Sequence, residues 1–86
     1  MHLFIETLVI GKVAYQFVFH KVICTAALKF FVSVKREEKQ VDAFEIKQSN
    51  GEWQLVQPVR PYILAQEKTL INIVRRYTAK SPAHRK

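Results

Sequence analysis

The chain has only two glycines among its 86 residues, and each lies where a two-residue β-hairpin turn needs one. Asn50-Gly51 fits the centre of a type I′ turn, in which both central residues have positive φ. Apolar and polar residues alternate on either side of it, in agreement with the register that such a turn imposes. The sequence therefore predicts a hairpin with three cross-strand pairs: Gln48 with Trp53, Ile46 with Leu55, and Phe44 with Gln57.

The other glycine predicts a second hairpin near the N-terminus. Gly11 precedes Lys12 at the first central position, which favours a type II′ turn. The register pairs Ile10 with Val13, Leu8 with Tyr15, Glu6 with Phe17, and Phe4 with Phe19. An antiparallel sheet with one solvated face should alternate apolar and polar residues more cleanly than this hairpin does. We therefore expect both faces of this hairpin to be covered by other parts of the structure, including the face that carries Leu3, Ile5, Val9, Val18 and Val22.

The middle of the chain is less clearly marked. Residues 29–35 are predicted to form a strand, and the charged residues 36–40 a turn into another strand at 41–47. Residues 13–31 also fit a helical stripe, and the alanines within 24–28 favour a helical turn. The β-branched and aromatic residues before Ile23 favour a strand instead, which is our preferred interpretation.

The apolar period changes after Pro58. Pro61 suits the first turn of a helix, where its missing N–H would have no partner. From there a 3.6-residue period predicts an amphipathic helix that ends between residues 77 and 79. Its start could instead lie near Ala65, with residues 62–64 extended. The apolar stripe that should face the sheet is formed by Ile63, Leu70, Val74 and Tyr77.

These elements define an α+β fold: an antiparallel sheet of about five strands, a meander of hairpins, capped by one C-terminal amphipathic helix. A chain of this length forms a single domain, which we assign to residues 1–78, with residues 79–86 as a basic, disordered tail. The longest apolar stretch, residues 13–34, is interrupted by polar side chains and predicts no membrane span. The N-terminus lacks the features of a secretory signal, so we expect a cytoplasmic protein.

Few residues are candidates for catalysis, metal binding or ligand binding. The histidines lack metal-ligand spacing and Cys24 is the only cysteine, so we expect no metal, no cofactor and no enzymatic activity. His20 is more typical of a structural histidine. Glu67 lies within the apolar helical stripe, where a buried carboxylate could bind a ligand or act in catalysis. A position near the helix N-terminus, or a pair with Arg60 or with a sheet residue, would account for it without either role, and Asp42 is expected to be solvated.

Positive charge is concentrated towards the C-terminus. The residues after Glu67 include six cations and no acid, in a chain of formal net charge +7. Such cations stabilise a helix C-terminus through its dipole, or they contact nucleic acid or another polyanion. The candidate contacts are Lys68, Arg75, Arg76, Lys80, Arg85 and Lys86. Tyr15, Phe17 and Phe19 could stack bases beside lysines, although alternating aromatic residues are more typical of a core.

One helix can cover only part of a five-stranded sheet, so part of the N-terminal hairpin would remain an exposed apolar patch. A two-fold dimer through hairpin faces or an edge strand would cover it, whereas a barrel-like sheet would bury the same groups within a monomer. Our first hypothesis is a small non-catalytic interaction module that self-associates through its sheet, using Leu3, Ile5, Val9, Val18 and Val22. The alternative is a nucleic-acid-binding protein that uses the basic face of the helix and tail.

Overall fold

The strands follow one another in space as they do along the chain. The computed structural model describes residues 3–23 and 28–80, in which one antiparallel sheet has the order β1-β2-β3-β4-β5. Two helical segments follow, and together with the sheet they confirm the predicted α+β class. The elements are β1 Leu3–Ile10, β2 Val13–Ile23, β3 Leu28–Arg36, β4 Lys39–Ser49, β5 Glu52–Leu55, α1 Pro61–Leu64 and α2 Glu67–Lys80.

Each hairpin among the described residues turns on two central residues of positive φ, the geometry of a type I′ turn. The Asn50-Gly51 prediction is confirmed. The type II′ prediction for Gly11-Lys12 is wrong, because Lys12 also has positive φ, at 82°. Glycine at the first position permits either turn, and both give the same register. The six residues are Gly11, Lys12, Glu37, Glu38, Asn50 and Gly51.

The cross-strand registers follow the predictions except at the end of β5. All four pairs predicted for the first hairpin form, and Gln48–Trp53 and Ile46–Leu55 form in the second. The Phe44–Gln57 pair does not form. Val56 N donates the last bond to Glu45 O, at 2.9 Å, and the chain then leaves the sheet.

The described residues of the segment that was ambiguous from sequence, 13–23 and 28–31, are extended. β2 and β3 pair from Gln16 with Lys35 to Ile23 with Leu28, which confirms strand over helix. Residues 24–27, including Cys24, lie outside the described residues. The turn predicted over residues 36–40 shrinks to Glu37-Glu38, because β4 already begins at Lys39. Val41 is an extra residue in β4, since Lys35 pairs with Gln40 while Val34 pairs with Asp42.

The C-terminal helical region begins at Pro61 as predicted but is divided in two. Ala65 N donates to Pro61 O and Gln66 N donates to Ile63 O, both at 2.9 Å. The second bond spans three residues and tightens the chain into a turn between α1 and α2. α2 then continues to Lys80, beyond the predicted end, while residues 81–86 lie outside the described part of the chain.

The core lies between one face of the sheet and the two helices. Phe4 stacks on Tyr77 of α2 with ring centroids 4.1 Å apart, and on Phe19 of β2 at 4.6 Å. Phe17 and Phe19 are fully buried here, so they cannot form a base-stacking platform. The buried residues of this core are Phe17, Phe19, Phe30, Val32, Val34, Phe44, Ile46, Trp53, Leu55, Ile63, Leu70, Ile73 and Val74.

Candidate interaction surfaces

The sheet face opposite the helices, here called the open face, carries exposed apolar side chains. Leu3, Ile5 and Val9 of β1 are 50%, 55% and 71% exposed, and no helix within residues 3–23 and 28–80 lies over them. Of the other two residues predicted for this surface, Val22 is half-buried. Val18 is buried, between Ile5 and Ser33 in the sheet. The exposed part of the predicted surface is therefore on β1.

Phe31 extends the apolar region into β3. Its side chain is exposed on the open face, and its ring lies 6.3 Å from the His20 imidazole at an interplanar angle of 50°. His20 is half-buried beside this ring. Phe31 was absent from the predicted surface, although alternation with the inward Phe30 places it there.

Apart from Phe31, the open face carries charged side chains on β3 and β4. Lys29 Nζ lies 3.6 Å from Glu45 Oε1, with both side chains about one-third exposed, and Lys47 is exposed nearby. The open face is therefore divided into an apolar half, on β1 and β2 with Phe31, and a charged half.

The two edges of the sheet differ. β1 is eight residues long, and its pairing with β2 is continuous. β5 is four residues long and presents exposed Glu52 and Gln54. Because β1 and β5 do not pair with each other, the described sheet is open and does not bury the open face as a barrel would.

The predicted basic contacts are divided between two sides of α2. Lys68, Arg75 and Arg76 are all exposed. Lys68 and Arg75 line a groove beside Trp53 of β5, whereas Arg76 lines a groove beside Phe4 of β1. Lys80 is the last residue of α2, and Arg85 and Lys86 lie outside the described residues.

Glu67 is the first residue of α2 and lines the groove beside Trp53 with Lys68 and Arg75. This position at the N-terminus, where the helix dipole favours an anion, was one of the predicted explanations for its place in the apolar stripe. The alternative of a pair with Arg60 is wrong. Arg60 Nε lies 2.9 Å from Asp42 Oδ2 instead.

Asp42 is the centre of a polar cluster that sequence analysis missed. The Tyr62 hydroxyl donates to Asp42 Oδ2 at 3.2 Å, and Ala43 N donates to Oδ1 at 3.0 Å. Burial and the neighbouring Asp42 charge raise the pKa of Tyr62 to about 12. The Asp42 side chain is only 16% exposed, so the expectation of a solvated carboxylate is wrong. Its position two residues before the inward Phe44 is the signal that places it on the helix side.

The described residues contain no group of three or more His, Cys, Asp or Glu side chains placed to hold a metal ion. Within the same residues, neither helix has the length and apolar character needed to cross a membrane. Comparison with protein-family models, curated proteins and solved structures gives no match to this chain. The surface features that bear on function are the apolar half of the open face, the β1 edge strand and two groups of exposed cations on α2.

Proposed function

We propose that this protein is a small non-catalytic interaction module that self-associates through its sheet. The observation that supports this is the exposure of Leu3, Ile5 and Val9 on a single strand. Exposed apolar side chains that occur singly need no explanation, but a group of them is typical of protein interfaces. Here only Thr7 separates Ile5 from Val9 along the open face. A second copy of the chain offers the same apolar residues, so contact between copies reduces the exposure of both sets.

Sedimentation velocity over a concentration series tests this proposal. We expect a dimer at micromolar concentration, and we expect Ile5→Ser/Val9→Ser to raise the dissociation constant by at least about 100-fold, since two apolar side chains per copy lose their contacts. Leu64→Ser is the matched control, because Leu64 is 42% exposed on α1, away from the open face. A wild-type protein that remains monomeric at high micromolar concentration would refute the proposal.

Binding of nucleic acid through α2 is the second candidate function. The observation in its favour is that Lys68, Arg75 and Arg76 are exposed, while the ion pairs found in the described residues involve other cations. Phosphate contacts by such side chains release counterions, and affinity then falls steeply with salt. The cations are divided between two grooves on different sides of α2. This arrangement favours a flexible nucleic-acid strand that wraps around the helix over one that lies straight along a single side.

Fluorescence anisotropy with a labelled oligonucleotide at several salt concentrations tests this second function. We expect Arg75→Ala/Arg76→Ala to weaken binding and reduce the salt slope by about two, close to one unit for each lost phosphate contact. Lys39→Ala/Lys47→Ala is the control, since it removes the same charge from exposed positions on β4. Absence of wild-type binding at low salt, or equal losses in both variants, would refute a site on α2.

A further inference from the structure

We propose that the second copy docks edge to edge, with the two β1 strands antiparallel and centred on Thr7, so that two five-stranded sheets become one continuous sheet. This inference rests on the self-association proposed above and specifies its geometry. The occupant of the β1 edge is the β1 strand of another molecule of this chain.

β1 has few of the features by which edge strands avoid pairing. Proteins protect such edges with charged side chains, above all lysine, with proline, a bulge or an inward-pointing charge, or by keeping the strand very short. Over Leu3–Ile10 β1 has no lysine, proline or bulge, and its register with β2 is unbroken. Its one charged residue, Glu6, lies on the helix side, in the groove with Phe4 and Arg76, and opposes only a register that sets it against its own copy. β5, the other edge, is short and carries exposed polar residues.

The backbone of β1 is oriented for this pairing. A two-residue turn closes on a hydrogen-bonded pair, here Ile10 with Val13, and such pairs alternate along an antiparallel ladder. The intervening residues of β1 therefore direct their N–H and C=O groups away from β2, and no strand of the described sheet pairs with that side. These residues are Leu3, Ile5, Thr7 and Val9, the same ones whose side chains are exposed on the open face.

Symmetry and charge select the register. A two-fold axis perpendicular to the sheet pairs residues that lie equally far on either side of one central residue. A centre at Glu6 pairs residues 3–9 of each copy but sets two carboxylates directly opposite, which is destabilising. A centre at Thr7 pairs residues 4–10, places Glu6 opposite Leu8, and places Ile5 opposite Val9. The register centred on Thr7 therefore combines a long overlap with apolar cross-strand contacts.

This arrangement has a defined consequence for the whole dimer. The perpendicular axis keeps both helical layers on the same side of the joined sheet. The apolar strips of the two copies meet at its centre, where each Ile5 packs beside Val9 of the other copy. A face-to-face dimer would instead leave the β1 backbone groups directed at solvent.

Disulfide trapping tests the register. Thr7→Cys is made together with Cys24→Ser, so that the introduced thiol is the only one in the chain. Residues opposite each other in a hydrogen-bonded antiparallel pair have Cα atoms about 5.5 Å apart, within the range that a disulfide spans. We expect mild oxidation to give a covalent dimer in high yield. Val9→Cys/Cys24→Ser is the control, because Val9 is also exposed but in this register faces Ile5 of the other copy and not the other Val9.

Hydrogen exchange provides an independent readout that needs no cysteine. We expect the amides of Ile5, Thr7 and Val9 to exchange slowly at a concentration where sedimentation finds dimer and quickly on dilution, while Glu52 and Gln54 on β5 stay unchanged. Dimers that trap through Val9 but not Thr7, or that leave these amides unprotected, would overturn the edge pairing while self-association stands. A protein that is monomeric throughout would overturn both.

Discussion

The Asp42 carboxylate joins the C-terminal helical region to the sheet through two polar partners. Arg60 Nε forms an ion pair with Asp42 Oδ2 at 2.9 Å, and the Tyr62 hydroxyl donates a hydrogen bond to the same oxygen at 3.2 Å. Tyr62 also packs on Tyr15 of β2, with ring centroids 5.2 Å apart. The half-buried Tyr62 therefore connects α1 to both β2 and β4, and its protonation state bears on stability.

We expect ionisation of Tyr62 to make unfolding easier at high pH. The pKa of Tyr62 is raised from 10.0 to about 12 by burial and by Asp42, so the folded state favours the neutral phenol. The resulting stability is fully present below pH 10 and is lost as pH rises through 12. Urea unfolding from pH 8 to 11.5 should show wild type losing stability relative to Tyr62→Phe. Tyr77→Phe is the control for a hydroxyl remote from Asp42, and parallel wild-type and Tyr62→Phe curves would contradict the expectation.

The hairpin turns are the elements through which the sequence determines the sheet. Glycine occupies one position in two of them, and these turns gave correct registers from sequence because a two-residue loop leaves no freedom in the pairing. The third turn, Glu37-Glu38, has φ of 53° and 70° without any glycine. Positive φ costs about 1 kcal/mol or more for a residue with a Cβ, so this turn is formed because the strands on either side pair strongly.

We expect Glu38→Gly to stabilise the protein by about 0.5–1 kcal/mol, because relief of the left-handed backbone outweighs the added freedom of the unfolded chain. Gly51→Ala should have the opposite effect and cost about 1 kcal/mol. A Cβ at Gly51 would meet no atom within 4 Å, and φ there is +83°. The stability lost in Gly51→Ala therefore comes from the backbone conformation alone. Chemical denaturation of both variants checks this, and destabilisation by Glu38→Gly would show that the glutamate side chains stabilise the turn.

Sequence reasoning fails where tertiary contacts override a local pattern. The register slip at Val41 and the inward position of Asp42 depend on contacts between β3, β4 and α1 that no short window contains. The same is true of the turn that divides the helix at Ala65, since its residues have good helix propensity. The exposure of Leu3, Ile5 and Val9 could be predicted because alternation decides which side an edge residue faces. The burial of Val18 on the same face could not, because it depends on the neighbouring strands.

The whole molecule has one apolar layer that the helices cover and one apolar strip that no described element covers. With 86 residues, a chain buries only about 60–65% of its unfolded surface, so its stability as a monomer is small. The proposed association would reduce the exposure of Leu3, Ile5 and Val9 and so add to the free energy of unfolding. On this proposal folding and self-association are coupled.

We therefore expect the melting temperature to rise with protein concentration. Each tenfold increase above the dissociation constant adds about 1.4 kcal/mol per dimer, or about 0.7 kcal/mol per chain, a shift of roughly 3–6 °C for a domain of this size. Ile5→Ser/Val9→Ser should melt at a temperature independent of concentration, whereas Leu64→Ser should retain the wild-type dependence. Calorimetry over a hundredfold range of concentration distinguishes the three proteins. A wild-type transition that does not move would contradict self-association and would mean that Leu3, Ile5 and Val9 remain solvated in a stable monomer.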